Sequence, residues 1–163
     1  MNILAIDPAT QCGWAHSCGP CGTWDLSVRS DESSGMKLLR LQGKVAEIYS
    51  SVGIDIVYFE AARFAMPDRQ HAVMSQNQFI GALVVWCEQN KIQYRGVAPT
   101  EVKKFATGKG NANKEQMIAA AKKKWPGAEI QDDNTADALW ILEFAMNELK
   151  SAVAIPKQSE LKV

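Results

Sequence analysis

The sequence predicts an α/β domain in which a five-stranded mixed β-sheet carries helices on both faces. Three features of the chain lead there. Two short apolar runs, at 2–9 and 54–59, each break off at an acid. The residues between them include a helical pattern long enough for the crossover that parallel strands require. Glycine and proline punctuate residues 12–29 in the way of tight turns, which puts an antiparallel meander beside the first run.

The elements follow in order. Asn2 to Ala9 (NILAIDPA) reads as a buried strand stopped by proline, with Asp7 at its C-terminal end. Segments at Gly13–Ser17 and Gly22–Arg29, around Cys18-Gly-Pro-Cys21-Gly, read as strands joined by tight turns. From Ser33 to Val52, apolar residues at Met36, Leu38, Leu39, Leu41, Val45, Ile48 and Tyr49 recur at helical spacing. Ser33 or Ser34 is the expected N-cap and Gly53 the stop. Ile54 to Phe59 is a second buried strand closed by Glu60, followed by a helix from about Arg69 to Glu88 and a strand at Ile92–Val97. Pro99 and Thr100 open a helical segment that stops near Gly108-Lys-Gly110. Asn113 caps another, which runs to Lys124 and is broken by Trp125-Pro126-Gly127. Asp132 to Leu149 is a last helix, apolar on most faces and therefore buried against the sheet. The expected organisation is one domain over 1–152 and a polar tail over 153–163.

A chain of 163 residues with 47% hydrophobic and 22% charged residues suits a single domain. At this size roughly two-thirds of the unfolded surface can be buried, so neither disulfide nor structural metal is needed. The formal net charge is zero, which leaves any nucleic-acid partner to be argued from where the charges lie. Between Glu101 and Trp125 stand Lys103, Lys104, Lys109, Lys114, Lys122, Lys123 and Lys124 against only Glu101 and Glu115. With no signal-like N-terminus and no run of about 18 apolar residues, a cytoplasmic protein off the membrane is expected. Its cysteines would then be reduced. Cys18-x-x-Cys21 with Cys12 nearby invites a zinc reading, for which His16 is the local fourth ligand. A lone CxxC fits small residues of a tight turn better.

Asp7 and Glu60 would lie together beyond the carboxyl ends of parallel neighbours, where open α/β sheets form their sites. Asp133 and Asp137, four residues apart at the start of the last helix, project from one helical face. Four acids so close repel one another unless a cation neutralises them, and an all-oxygen set suits Mg²⁺ or Mn²⁺. In a two-metal arrangement, one ion activating water and the other stabilising the leaving oxygen, such a site would hydrolyse phosphodiesters by in-line displacement. Each acid also has a plainer use: Asp7 in a turn, Glu60 as a strand-end charge, Asp132 and Asp133 as N-cap and first-turn acids. Asp137 has the least plain reading, because an unpaired acid a turn inside an apolar helix is costly.

These residues resemble the RuvC-type Holliday-junction resolvases of the ribonuclease H-like superfamily. The likeness rests on ILAIDPAT around Asp7, VYFEAA around Glu60, the terminal DDNTADAL, and the basic, glycine-containing PTEVKKFATGKGNANKEQM at 99–117. It implies a ribonuclease H-like fold and a Mg²⁺-dependent endonuclease, Mn²⁺ substituting, that cuts Holliday junctions and other branched DNA. Asp7, Glu60, Asp133 and Asp137 would be the metal ligands. Lys103 and Lys114 would lie near the scissile phosphate, and Lys104 and Lys109 would add DNA contacts. Phe64 falls close to where the family places an aromatic that inserts at the junction, and the helix from about Arg69 resembles its dimer-forming helix. One departure stands out: cellular resolvases carry an acid or histidine three residues before the final aspartate, where this chain has Asn134. The Asp-Asp-Asn-x-Ala-Asp pattern resembles the phage-type branch, which implies broader branched-DNA specificity and makes Asp133, ahead of Asp132, the fourth ligand. Sugar-kinase and actin-like ATPases also open on a strand-end aspartate, but they need glycine-rich phosphate loops in two lobes. A flap nuclease or ribonuclease of the same superfamily and a non-catalytic branched-DNA-binding module are the remaining alternatives.

Overall fold

The computed structural model describes residues 1–61, 70–128, 130 and 132–154. Its strands are β1 (Ile3–Asp7), β2 (Gln11–His16), β3 (Cys21–Asp25), β4 (Ile56–Glu60) and β5 (Gln93–Val97). Its helices are α1 (Met36–Val52), α2 (Gln70–Asn90), α3 (Pro99–Thr107), α4 (Lys114–Lys124) and α5 (Asp133–Ala154). The sheet order is β3-β2-β1-β4-β5, antiparallel through the first three strands and parallel through β1, β4 and β5.

Alternation along the strands decides what each face carries. On β1, Ile3 and Ala5 share a face with Ile56 and Tyr58 of β4, and there Val102, Met117, Ala136, Trp140 and Ile141 from α3, α4 and α5 close the core. Leu4 and Ile6 join Val57 and Phe59 on the other face beneath Leu41 and Val45 of α1 and Phe79 and Leu83 of α2. The expected mixed sheet with helices on both faces is the one found.

Boundaries differ where side chains or backbone groups intervene. β3 ends at Asp25, short of the expected Arg29, because the Asp25 carboxylate accepts the Ser27 N–H at 2.9 Å and turns the chain. β2 begins at Gln11, whose amide donates to Asp25 at 2.9 Å. α1 has Gly35 at its N-cap with no side-chain cap, and the Met36 N–H goes to the Ser33 carbonyl at 3.0 Å, so neither expected serine hydroxyl caps it. β4 starts at Ile56, since the Asp55 and Ile56 N–H groups both turn back to the Asn2 carbonyl. Asn113 caps α4 as expected, accepting the Gln116 N–H at 2.9 Å while the Gln116 side chain receives the Asn113 N–H. α5 runs to Ala154, past the expected end at Leu149 and two residues beyond the expected boundary at 152. Among the described residues no helix is long and apolar enough to cross a membrane.

Candidate active site

Asp7 and Glu60 are the last residues of β1 and β4, and the parallel register that pairs Ile6 with Phe59 sets them side by side. By alternation both point to the α5 face, in step with Ala5 and Tyr58. The start of α5 is clamped over the β2–β3 hairpin. Asp132, just before the helix, accepts the Thr135 N–H at 2.7 Å as an N-cap does, and the Thr23 hydroxyl of β3 donates to the same oxygen at 3.0 Å. The Thr23 and Thr135 hydroxyls lie 3.1 Å apart. Beneath the helix, Gly13 pairs with Asp7 across β1 and β2, and a Cβ on it would stand 2.0 Å from the Asn134 carbonyl oxygen. Only a bare strand position lets the helix sit this low.

The result is a cleft of about 420 Å³ whose walls include Asp7, Glu60, Asp133 and Asp137. Lys103 of α3 and Lys114 of α4 line the same cleft, together with Asn113, Met117 and Asn134. Lys114 forms an ion pair with Asp133. Burial is the largest influence on Asp7 and pushes its pKa well above the ordinary carboxylate value. Repulsion from Glu60, Asp137 and Asp133 adds to this, against partial relief from Lys114. The Lys114 pKa is raised as well, which for a lysine favours the charged form: the Asp133 hydrogen bond and charge, helped by Asp137 and Asp7, are the cause. An aspartate so disfavoured as an anion, in a cleft lined with oxygen donors, is the chemistry of a site for a hard divalent cation. Among the described residues no three acids stand close enough to form a closed cage.

Of the two adjacent acids that the sequence leaves in competition, Asp133 faces the cleft while Asp132 is committed to capping. Partial burial works to raise the Asp132 pKa, but hydrogen bonds from the Thr135 N–H and hydroxyl and from Thr23 outweigh it and hold the carboxylate below its ordinary value. A lowered acid stabilises the fold above its unfolded pKa, and that contribution disappears as pH falls through the folded one. Asp132→Ala is therefore expected to cost about 1 kcal/mol in chemical denaturation at pH 7. The difference should shrink as pH falls below the usual carboxylate range. A pH-independent difference would remove the capping assignment.

Lys104 and Lys109 are exposed and do not line the cleft. Phe64 lies outside the described residues. Sequence reasoning missed Gly13, Thr23 and Asn113 as parts of this region. The cysteines do not gather: Cys12 is buried on the α1/α2 face, Cys21 packs on the α5 face and Cys18 is exposed. His16 is engaged at both ring nitrogens, with Gly53 O at 3.0 Å and the Cys18 N–H at 3.1 Å. Gly19, at φ +120°, supplies the backbone shape of the turn between β2 and β3, in keeping with the small-residue reading.

Comparison with known proteins places these features in company. Residues 3–145 match the family model described as crossover junction endodeoxyribonuclease RuvC. The chain is 29% identical over 149 residues to the enzyme of that name from Natranaerobius thermophilus, covering 85% of this chain and 90% of that protein. It is 30% identical over 132 residues to the one from Sulfurovum, covering 76% and 80%. In fold it is similar to T. thermophilus RuvC, solved in complex with Holliday junction substrate, with a TM-score of 0.74 at 19% identity over 93% of this chain and 96% of that one.

Proposed function

The chain belongs to the RuvC family of crossover junction endodeoxyribonucleases, and on that footing we propose that it cleaves Holliday junctions and other branched DNA at the four-acid cleft. The observation that carries the reading is the convergence of Asp7, Glu60, Asp133 and Asp137 with Lys103 and Lys114 in one cleft. Asp7, Glu60, Asp133 and Asp137 would hold Mg²⁺, for which Mn²⁺ substitutes. When bound, the metal supplies an activated water and charge stabilisation at the leaving oxygen.

The chain's own residues do the rest. Asp7 and Glu60, fixed at the ends of buried strands, set one wall of the site, and the clamped start of α5 holds Asp133 and Asp137 against it. Lys103 and Lys114 offset the charge that builds on the phosphoryl oxygens during in-line displacement. Lys114 gives up Asp133 as it turns to the phosphate, so the same ammonium steadies the acids at rest and the DNA in reaction. Lys104 and Lys109, exposed beside the cleft's basic wall, contact flanking phosphates. Phe64, four residues past Glu60, stacks on an unpaired base at the branch point. The chain acts as a homodimer in the cytoplasm. Support for pairing comes from Leu39 and Val85, large apolar residues left exposed on α1 and α2 in the lining of a groove of about 520 Å³, and from Met74, also exposed on α2.

The deciding experiment incubates the protein with four-way, three-way, flap and linear duplex DNA in Mg²⁺, and repeats it in EDTA. Cleavage of the branched substrates, little of the linear one and none in EDTA is expected. Equal cutting of linear duplex rejects the branched-DNA reading, and cutting in EDTA rejects the metal. Because Asn134, and not an acid, lines the cleft beside Asp133, three-way and flap substrates should be cut alongside the four-way junction. Lys103→Ala and Lys114→Ala should each lower the single-turnover rate by about 10²-fold. Rates within threefold of the unaltered protein would remove the lysines from the chemistry.

A further inference from the structure

We infer that Lys122 and Lys123, at the far end of α4 and about 12–14 Å along it from Lys114, form a second phosphate-binding point that grips a duplex arm. This rests on the reading of the cleft as a branched-DNA nuclease site. The lysine-rich end of α4 is most simply a solvated helix terminus, because basic residues there suit the helix dipole. Three features carry it further.

The first is direction. Lys114 pairs with Asp133 at the starts of α4 and α5, and Lys124 pairs with Glu143 at 2.9 Å, ten residues further along each helix. The two helices therefore run side by side in the same sense, leading away from the cleft. α4 therefore begins at the cleft and ends away from it, and at its end Lys122 and Lys123 stand about 160° and 100° around the axis from Lys124, the lysine that faces α5. The second is occupancy. Lys124 is already used: besides Glu143, its ammonium lies 5.6 Å from the Trp125 ring centre and 5.8 Å from that of Trp140. Lys122 and Lys123 are exposed, and among the described residues no carboxylate pairs with either. The third is continuity. Lys103, Lys104, Lys109, Lys114, Lys122 and Lys123 lie on α3, the following turn and α4, so the charge begins in the cleft and has no acidic gap other than Glu115 beyond it on α4. A polyanion seated at the cleft presents a phosphate charge every ~1.7 Å of duplex axis, and about 12–14 Å is about four base pairs along it.

The test replaces both residues, Lys122→Gln with Lys123→Gln, in the full chain. Binding to a four-way junction is measured across a salt series in EDTA, where cleavage stops. The logarithmic salt dependence should become shallower by about 2, with binding roughly tenfold weaker at physiological salt. The single-turnover cleavage rate at saturating DNA in Mg²⁺ should be unchanged. Neutral methylphosphonate linkages about three to five nucleotides from the mapped cleavage site should weaken binding by the unaltered protein and have no further effect on the double variant. An unchanged salt dependence, or a methylphosphonate penalty that survives in the double variant, overturns the second contact point while leaving the nuclease reading intact. Failure of the unaltered protein to bind or cut branched DNA overturns both.

Discussion

Asp7→Asn should abolish cleavage, by 10³-fold or more, while making the metal-free protein more resistant to heat near neutral pH than the unaltered chain. Both effects come from one environment. Asp7 is half-buried and largely desolvated and faces Glu60, Asp137 and Asp133, so its folded pKa lies well above the ordinary carboxylate value. For an acid raised in this way, the stability it contributes is fully present below its unfolded pKa. That contribution falls as pH rises from there to the folded pKa, and above it the deficit is constant. Asparagine keeps the shape and removes the charge, so the variant should show a flatter dependence of melting temperature on pH across that window. A divalent cation held by these acids would bind the folded state only and offset the same repulsion. Mg²⁺ should therefore raise the melting temperature of the unaltered chain more than that of the variant. Thermal melts from pH 3 to 8, with EDTA and with Mg²⁺, read these shifts independently of activity. A variant with residual cleavage within tenfold of the unaltered chain would exclude Asp7 from the metal set. A variant less stable than the unaltered chain at neutral pH would mean that Asp7 is stabilised by partners, contrary to its raised pKa.

What the sequence revealed of this site followed periodicity. Two apolar strands ending in acids, joined by a crossover helix, already placed Asp7 beside Glu60, because parallel pairing and two-residue alternation leave little freedom. Spacing of four on a helix did the same for Asp133 and Asp137. The choice between Asp132 and Asp133 was not open to such reasoning. It depends on Thr23, 109 residues away from Asp132 in sequence, whose hydroxyl makes Asp132 a cap and leaves its neighbour facing the cleft. The beginning of α1 and the end of β3 were misplaced for a related reason. Local groups, the Ser33 carbonyl in one case and the Asp25 carboxylate in the other, captured N–H groups that propensity had assigned elsewhere.

The least legible residue is also the one whose alteration should be felt furthest. Gly13 sits in a strand, without the positive φ that usually betrays an obligatory glycine, and its need is visible only from what lies above it. The methyl group of Gly13→Ala would fall 2.0 Å from the Asn134 carbonyl oxygen and 2.5 Å from its carbon. Those are backbone atoms at the first turn of α5, so no rotamer change can relieve the contact. Either β2 bows away from β1, breaking the pairing of Gly13 with Asp7, or the start of α5 lifts, carrying Asp133 and Asp137 off the strand acids. Overpacking of this kind costs about 3 kcal/mol, and a misplacement of about 1 Å at a reacting centre lowers rates by about 10²-fold. Gly22→Ala, on the adjacent strand, is the matched control. Its Cβ would meet the Trp14 indole at 3.4 Å, an ordinary contact with a side chain. That control should melt within about 0.5 kcal/mol of the unaltered chain and cleave at its rate. If Gly13→Ala behaves like Gly22→Ala, α5 is not held by close approach to β2, and the four acids owe their convergence to the Thr23–Asp132–Thr135 clamp alone.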